Sequence, residues 1–95
     1  MRKYELVVIV DALPTKEEKD VIMKKATDAI IKSGGKVINN QLWLAKQKFA
    51  FKIKRRTEGT YYVVNIEAEP SAVLKIRQAL GLVEEVLRFE VLKID

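Results

Sequence analysis

Two runs of β-branched and aromatic residues constrain the fold more than any other feature of the sequence. The first is Tyr4–Asp11 and the second is Thr60–Ala68. Both are largely apolar, which is typical of strands in the centre of a sheet. Each is followed by a segment with helical periodicity, and a helix in that position packs back onto the sheet that its strand belongs to.

The first helical segment has recognisable start and stop signals. Thr15 is the predicted N-cap, and Glu18, three residues later, completes a capping box. Gly34 and Gly35 are expected to end the helix. Its predicted buried face consists of Ile22, Ala26, Ala29, Ile30 and Ser33.

The second and third strands are predicted to form a hairpin. The second strand is expected over Val37–Leu44, and Phe49–Ile53 continues it after an interruption. The segment Arg55–Gly59 is the predicted connection to the strand that begins at Thr60.

The last third of the chain is predicted to hold one helix and one strand. Pro70 fits the first turn of a helix, with Glu69 or Ser71 as its cap, and Gly81 ends it. The buried stripe of this helix is predicted to be Val73, Ile76 and Leu80. The final strand is Val86–Ile94, with one face formed by Leu87, Phe89 and Val91.

The resulting order, β-α-β-β-α-β, is the split βαβ or ferredoxin-like arrangement, an α+β fold. Its 95 residues fit one domain over residues 1–95. We expect a four-stranded antiparallel sheet with the first and third strands in the centre and both helices on one face. The other face is then open and carries Glu5, Val7, Ile9, Val63 and Leu92. An exposed apolar patch indicates a contact surface, although scattered surface valines are also ordinary.

The composition excludes several kinds of function. The chain has no cysteine and no histidine, so thiolate metal sites, disulfides and histidine-based catalysis are absent. There is no phosphate-binding glycine-rich loop, and the loop Asp11–Thr15 lacks the anion-binding arginine of an acylphosphatase-like enzyme. We therefore expect no enzyme activity, no cofactor, no bound metal and no small-molecule substrate.

The sequence contains no membrane signal. No apolar run approaches 18 residues, and the segment that follows Met1 lacks the features of a signal peptide. We expect a cytoplasmic protein without a membrane partner.

The positive charge is local. The formal net charge is +5, and six of the 18 basic residues lie between Lys46 and Arg56 with no acidic residue among them. Without those six, the chain has 12 basic and 13 acidic residues, a net charge of −1. A patch of this kind favours binding to nucleic-acid phosphates.

Alternation along this segment predicts that its lysines share one face of an extended strand, roughly 6–7 Å apart, while Phe49, Phe51 and Ile53 share the other. A second interpretation is that the lysines keep an edge strand from pairing with other sheets. That interpretation does not account for the arginines in the adjoining turn. The candidate phosphate contacts are Arg2, Lys3, Lys46, Lys48, Lys52, Lys54, Arg55 and Arg56.

The whole chain resembles the bacterial small-subunit ribosomal protein S6 family. The similarity is carried by Met1–Glu5, Gly34–Val37 and Gly59–Tyr62, and by the match of Ala45–Lys54 to the signature of the family. That signature is a glycine, polar or basic residues, and then Leu-Ala-Tyr-x-Ile-Lys.

The resemblance implies that the protein binds the central domain of 16S ribosomal RNA together with ribosomal protein S18. It also implies that the edge of the second strand contacts that protein partner, for which the candidates are Trp43, Leu44 and Phe51.

The chain departs from the signature at three positions. Ala45 replaces the glycine, Gln47 stands where a basic residue is common, and Phe51 lacks a tyrosine hydroxyl. A redesigned sequence on this fold without an RNA role, and a regulatory domain that dimerises through the open sheet face, are the alternative hypotheses.

Overall fold

The computed structural model describes residues 1–94 and contains the predicted order of elements. Within that range the strands and helices are β1 (Arg2–Asp11), α1 (Lys16–Lys32), β2 (Lys36–Ile53), β3 (Arg56–Ala68), α2 (Val73–Gly81) and β4 (Val86–Lys93). A single 3₁₀ turn, Pro70–Ala72, leads into α2. The strands form an antiparallel sheet in the order β2-β3-β1-β4, so β1 and β3 are central, which confirms the ferredoxin-like prediction.

The core lies between the central strands and the helices. Tyr4, Leu6, Val8 and Val10 of β1 are buried, and residues of the same face of β3 lie opposite them in register. The helices contribute six buried side chains to this cluster: Ile22, Met23, Ala26, Ile30, Ile76 and Leu80. The alternation of buried and less buried residues along β1 and β3 is the expected pattern for a sheet that is covered on one face.

Local sequence signals set the ends of α1. The backbone N–H of Glu18 donates to Thr15 Oγ1 at 3.2 Å, and the Glu18 carboxylate accepts from the backbone N–H of Thr15. After Ser33 the chain turns at Gly34, whose φ of +99° is a conformation that glycine adopts without a steric penalty. The capping box and the glycine stop are both confirmed.

Several predicted details of the helices are wrong. Met23 is buried, whereas Ala29 and Ser33 are only partly buried. The core face of α1 therefore includes Met23, which was not predicted, and excludes two residues that were predicted to belong to it. Glu69 occupies the N-cap position of the 3₁₀ turn, but its side chain makes no capping hydrogen bond, and Ser71 lies within the turn.

The predicted face of β4 needs one correction. A register shift between Ile9 and Val10 places Val86 opposite Val10 and Arg88 opposite Ile9. Leu87 is the extra residue of this bulge, and although it is buried it lies outside the main core cluster. Phe89 and Val91 pack against the core as predicted.

The hairpin between β2 and β3 is tighter than predicted. The strands pair as far as Ile53 opposite Arg56, so the connection is Lys54–Arg55 and not Arg55–Gly59. Gly59 lies within β3, opposite Asp11 of β1. None of the helices within residues 1–94 is long and apolar enough to cross a membrane.

Candidate nucleic-acid interface

The candidate interface is built on β2, which is an edge strand. Its 18 residues are all exposed or only partly buried. This strand has β3 on one side and an unpaired edge on the other, and the helices lie chiefly over the central strands. The side chains of β2 are therefore available for contacts with other molecules.

The strand is irregular, so the predicted even row of lysines is wrong. The pairing of β2 with β3 shifts between Leu44 and Gln47 and again between Lys48 and Ile53. Lys46 has a φ of +48°, and such a residue does not continue the alternation of side chains along a strand. The positive φ falls at Lys46 and not at Ala45, the position of the signature glycine.

The eight candidate phosphate contacts are all exposed, but they fall into two groups. Six lie on the β2–β3 hairpin: three on β2, two in the turn, and Arg56 at the start of β3. Arg2 and Lys3 begin β1, opposite Ala68 and Glu67, at the far end of the sheet from the hairpin. From Arg2 to Asp11 the strand advances by roughly 30 Å at about 3.3 Å per residue. The structure thus brings six of the residues together and leaves two apart.

Two residues of the larger group already have partners within the protein. Lys54 Nζ donates to the backbone carbonyl of Val86 at 3.0 Å, and Arg56 Nε donates to Asp11 Oδ2 at 2.6 Å. Within residues 1–94, the side chains of the other four form no hydrogen bond or ion pair: Lys46, Lys48, Lys52 and Arg55.

The turn that joins the strands has an unusual sequence for its geometry. Lys54 and Arg55 have φ values of +47° and +68°, and two positive φ values are the mark of a type I′ turn. Asn-Gly is the common sequence there, because side chains larger than glycine resist this conformation at a cost on the order of 1–3 kcal/mol each. Two long cationic side chains thus occupy a turn that local preference disfavours.

The three candidate residues for a protein partner are exposed on β2. Trp43, Leu44 and Phe51 are 55%, 37% and 86% exposed. Trp43 meets Tyr61 of β3 edge to face, with ring centroids 6.1 Å apart. Trp43 is thus a half-exposed residue of the strand edge and not a core residue.

The open face of the sheet carries an aromatic cluster that the sequence analysis did not assign. Phe49 and Trp43 of β2 both lie against Tyr61, and the Phe49–Tyr61 centroid distance is 6.4 Å. Phe49 and Ile9 converge above Gly59, which explains why Ile9 is buried on a face that no helix covers. The remaining assignments to this face agree with the register, in which Val7 lies opposite Val63 and Glu5 opposite Leu92.

A groove of about 600 Å³ lies on the other face, between α1 and β2. Its floor includes Leu42, Met23 and Tyr62, and burial, followed by the negative charge of Asp20, raises the pKa of Tyr62 above its ordinary value. Thr60 also lines the groove, and its buried hydroxyl has no hydrogen-bond partner within residues 1–94. The sequence offered no signal for this groove, because it arises from the spacing between a helix and an edge strand.

A second concavity, of about 610 Å³, lies beside the turn of the hairpin and includes Asp11, Arg56 and the Lys25–Glu85 ion pair. The hydrogen bond from Lys25, at 2.6 Å, holds the pKa of the Glu85 carboxyl below its ordinary value. Acidic and basic side chains here neutralise one another, so this concavity is a poor site for polyanions.

Comparisons with a family model and with individual proteins point to the same family. The family model described as ribosomal protein S6 matches residues 3–93. The small ribosomal subunit protein bS6 of Corynebacterium aurimucosum is 38% identical, over all of this chain and 98% of that protein. The small ribosomal subunit protein bS6 of Cutibacterium acnes is 36% identical, over 98% of this chain and 96% of that protein.

The fold agrees with a solved structure. A crystal structure of 30S ribosomal protein S6 from Thermotoga maritima superposes with a TM-score of 0.77, over 98% of this chain and 87% of that chain. At 23% sequence identity, this similarity supports the fold alone.

Proposed function

The chain belongs to the ribosomal protein S6 family, and from that premise we propose that it binds the central domain of 16S ribosomal RNA together with ribosomal protein S18. Membership makes it a structural, non-enzymatic protein of the small ribosomal subunit. The proposed place of action is the ribosome in the cytoplasm, with no membrane partner and no small-molecule substrate.

The observation that carries the RNA-binding proposal is the set of free cations on one hairpin. Four of the six basic residues between Lys46 and Arg56 are exposed and form no hydrogen bond or ion pair within residues 1–94. Each is available to replace a counterion on an RNA phosphate, and counterion release is a large source of affinity for nucleic acids. Such contacts position the protein on the RNA without reading its sequence.

Arg2 and Lys3 form the second proposed contact. They lie at the opposite end of the sheet, so a single short stretch of backbone phosphates does not reach both groups. A folded RNA junction presents phosphates in more than one direction, which suits two separated basic groups on one protein.

The proposed contact with S18 uses Trp43, Leu44 and Phe51. All three are exposed on β2, and tryptophan in particular is enriched among the residues that dominate binding energy at protein interfaces. The partner would then supply sequence specificity that phosphate contacts lack.

The test is binding of a 16S central-domain RNA fragment across a salt series, with and without S18. Engaging four to six phosphates gives a log–log salt slope of roughly −3 to −5. A triple variant, with Lys46, Lys48 and Lys52 changed to glutamine, should bind more weakly and lose roughly 2–3 units of slope.

A matched control removes the same charge elsewhere. Lys16, Lys19 and Lys24 of α1 border the groove on the helix side, and changing all three to glutamine should leave most of the RNA affinity in place. Equal losses of RNA affinity in the two triple variants would show that net charge, and not this hairpin, accounts for the binding. A folded protein that binds no RNA, alone or with S18, would refute it.

A second candidate function is self-association through the open face. The exposed apolar and aromatic side chains there, among them Trp43 and Leu92, favour a contact surface of some kind. Sedimentation without RNA discriminates the two: a concentration-dependent dimer that dissociates on Trp43→Ala would support this candidate, and a monomer would exclude it.

A further inference from the structure

The turn of the β2–β3 hairpin is attached to the rest of the protein on both sides. Lys54, the first residue of the turn, donates to the carbonyl of Val86, where β4 begins. Arg56, directly after the turn, donates to Asp11, where β1 ends. Arg55 lies between these two residues in the sequence.

The two attachments differ in burial. The bond between Lys54 and Val86 is partly buried, whereas the bond between Arg56 and Asp11 lies at the surface, with the Arg56 side chain 48% exposed and the Asp11 side chain 18% exposed. Both link the turn to a different strand of the sheet, at a distance of more than 30 residues along the chain. A hairpin tip is otherwise among the most mobile parts of a sheet.

Arg55 has the opposite character. Its side chain is exposed, and within the described residues it makes no ion pair or hydrogen bond. Its backbone has a φ of +68°, and holding the backbone of the turn in place also holds the Cα–Cβ bond of Arg55 in place. The guanidinium group has donors in a planar fork that matches a phosphate with two parallel hydrogen bonds.

We propose that Lys54 and Arg56 are positioning residues, which hold the strained turn so that Arg55 meets an RNA phosphate in a fixed orientation. The proposal rests on the RNA-binding function proposed above and refines it. Of the six basic residues on the hairpin, two act inside the protein and Arg55 is the ordered phosphate ligand. Immobilising Arg55 before binding lowers the entropy lost when the RNA contact forms.

The sharpest test uses Asp11→Asn, because the two possible roles of Arg56 predict opposite changes in RNA affinity. If Arg56 is a phosphate ligand, Asp11→Asn removes a competing negative charge and RNA binding becomes tighter. If Arg56 is a positioning residue, the same change loosens the turn and binding becomes weaker. An asparagine amide offers a single oxygen, whereas the Asp11 carboxylate accepts both from Arg56 and from the backbone N–H of Leu13 at 3.2 Å.

We expect Asp11→Asn to weaken RNA binding several-fold with an unchanged salt slope. The matched control is Asp28→Asn, an exposed residue of α1 whose loss should leave the affinity unchanged or slightly raised. Tighter binding by Asp11→Asn than by Asp28→Asn would overturn the proposal.

The salt slope separates ligands from positioning residues. Arg55→Gln should lower the slope by about one unit, because it removes one phosphate contact. Lys54→Gln should lower the affinity at every salt concentration and leave the slope unchanged. A slope change of about one unit for Lys54→Gln would assign it to the phosphate ligands.

A measurement on the free protein keeps this proposal distinct from the proposed function. The backbone amide order parameter of Arg55 should be near that of rigid backbone, about 0.85, and should fall in Asp11→Asn. A value below about 0.6 in the unchanged protein contradicts the positioning role, whether or not RNA binds. Absence of RNA binding with a rigid Arg55 would instead refute the RNA-binding function alone.

Discussion

The strands β2 and β3 are hydrogen-bonded neighbours, yet they differ in burial along nearly their whole length. From Thr60 to Ala68, residues of β3 alternate between buried and partly buried. Residues of β2 are exposed or partly buried from Lys36 to Ile53. Both strands are long, and both carry aromatic and aliphatic side chains. The position of a strand in the sheet therefore decides its burial more than its composition does.

Because of this difference in burial, β3 contributes mainly to stability and β2 contributes mainly to the proposed binding. Side chains of β3 hold the helices onto the sheet, so changes in them act on stability. Side chains of β2 contribute little to the core and carry most of the candidate contacts with RNA and protein. Substitutions in the two strands should thus separate stability from binding.

The largest expected contrast compares two isoleucines. Ile66 of β3 is 1% exposed, and Ile38 of β2 is 49% exposed. Ile66→Ala should lower the free energy of unfolding by about 2–5 kcal/mol, whereas Ile38→Ala should lower it by less than about 1 kcal/mol. Urea denaturation followed by circular dichroism measures both. Similar losses of unfolding free energy for the two variants would contradict the difference in burial between the strands.

Gly59→Ala tests the close packing of Phe49 of β2 over Gly59 of β3. An added Cβ would lie 2.4 Å from Phe49 Cζ and 2.8 Å from Ile9 Cγ2, so side chains must move. The expected loss is about 1–3 kcal/mol in the free energy of unfolding. In the background of Phe49→Ala the same change should cost less, since the nearest atom is gone. Equal costs in both backgrounds, measured by urea denaturation, would show that Phe49 does not lie over Gly59.

Thr60→Val should stabilise the protein. The Thr60 hydroxyl is buried without a partner within residues 1–94, and valine has nearly the same shape. Removing an unsatisfied buried hydroxyl should raise the free energy of unfolding by about 1 kcal/mol. Thermal and urea unfolding measure the change. Destabilisation would reveal a hydrogen-bond partner for this hydroxyl in the groove.

The smallest expected effect concerns the polar link between the two strands. Asn65 Nδ2 of β3 donates to Asn39 Oδ1 of β2 at 2.8 Å, near the surface. A double-mutant cycle with alanine at both positions should give a coupling of about 0.5–1 kcal/mol. A coupling near zero would mean that β2 is held to β3 by backbone hydrogen bonds and apolar contacts alone.

The sequence predicted best what depends on residues close together in the chain. The capping box of Thr15 and Glu18 and the helix stop at Gly34 involve contacts within a few residues. The positions of β1 and β3 in the centre of the sheet followed from the order of elements and agreed with their apolar runs. The six clustered cations were visible from the sequence, as was their exposure on a strand or turn.

The hairpin shows where such reasoning fails. The predicted connection extended to Gly59, because glycine is common in turns. In the structure Gly59 is a strand residue whose missing side chain makes room for Phe49 and Ile9, and the turn falls at Lys54–Arg55. A turn that lacks glycine and asparagine has no local signal, and contacts with Asp11 and Val86 accompany it instead.

Local patterns in the sequence were enough to predict the order of elements, the ends of the first helix, the central strands and the location of the positive charge. The tertiary structure was needed to show which basic residues have no partner within residues 1–94 and where the side chains of β2 stop alternating between its two faces. It also decided that Tyr61 and Phe49 meet Ile9 on the open face. The physical reason is distance along the chain: periodicity and capping act over a few residues, whereas pairing register and cross-strand contacts join residues that lie tens of positions apart.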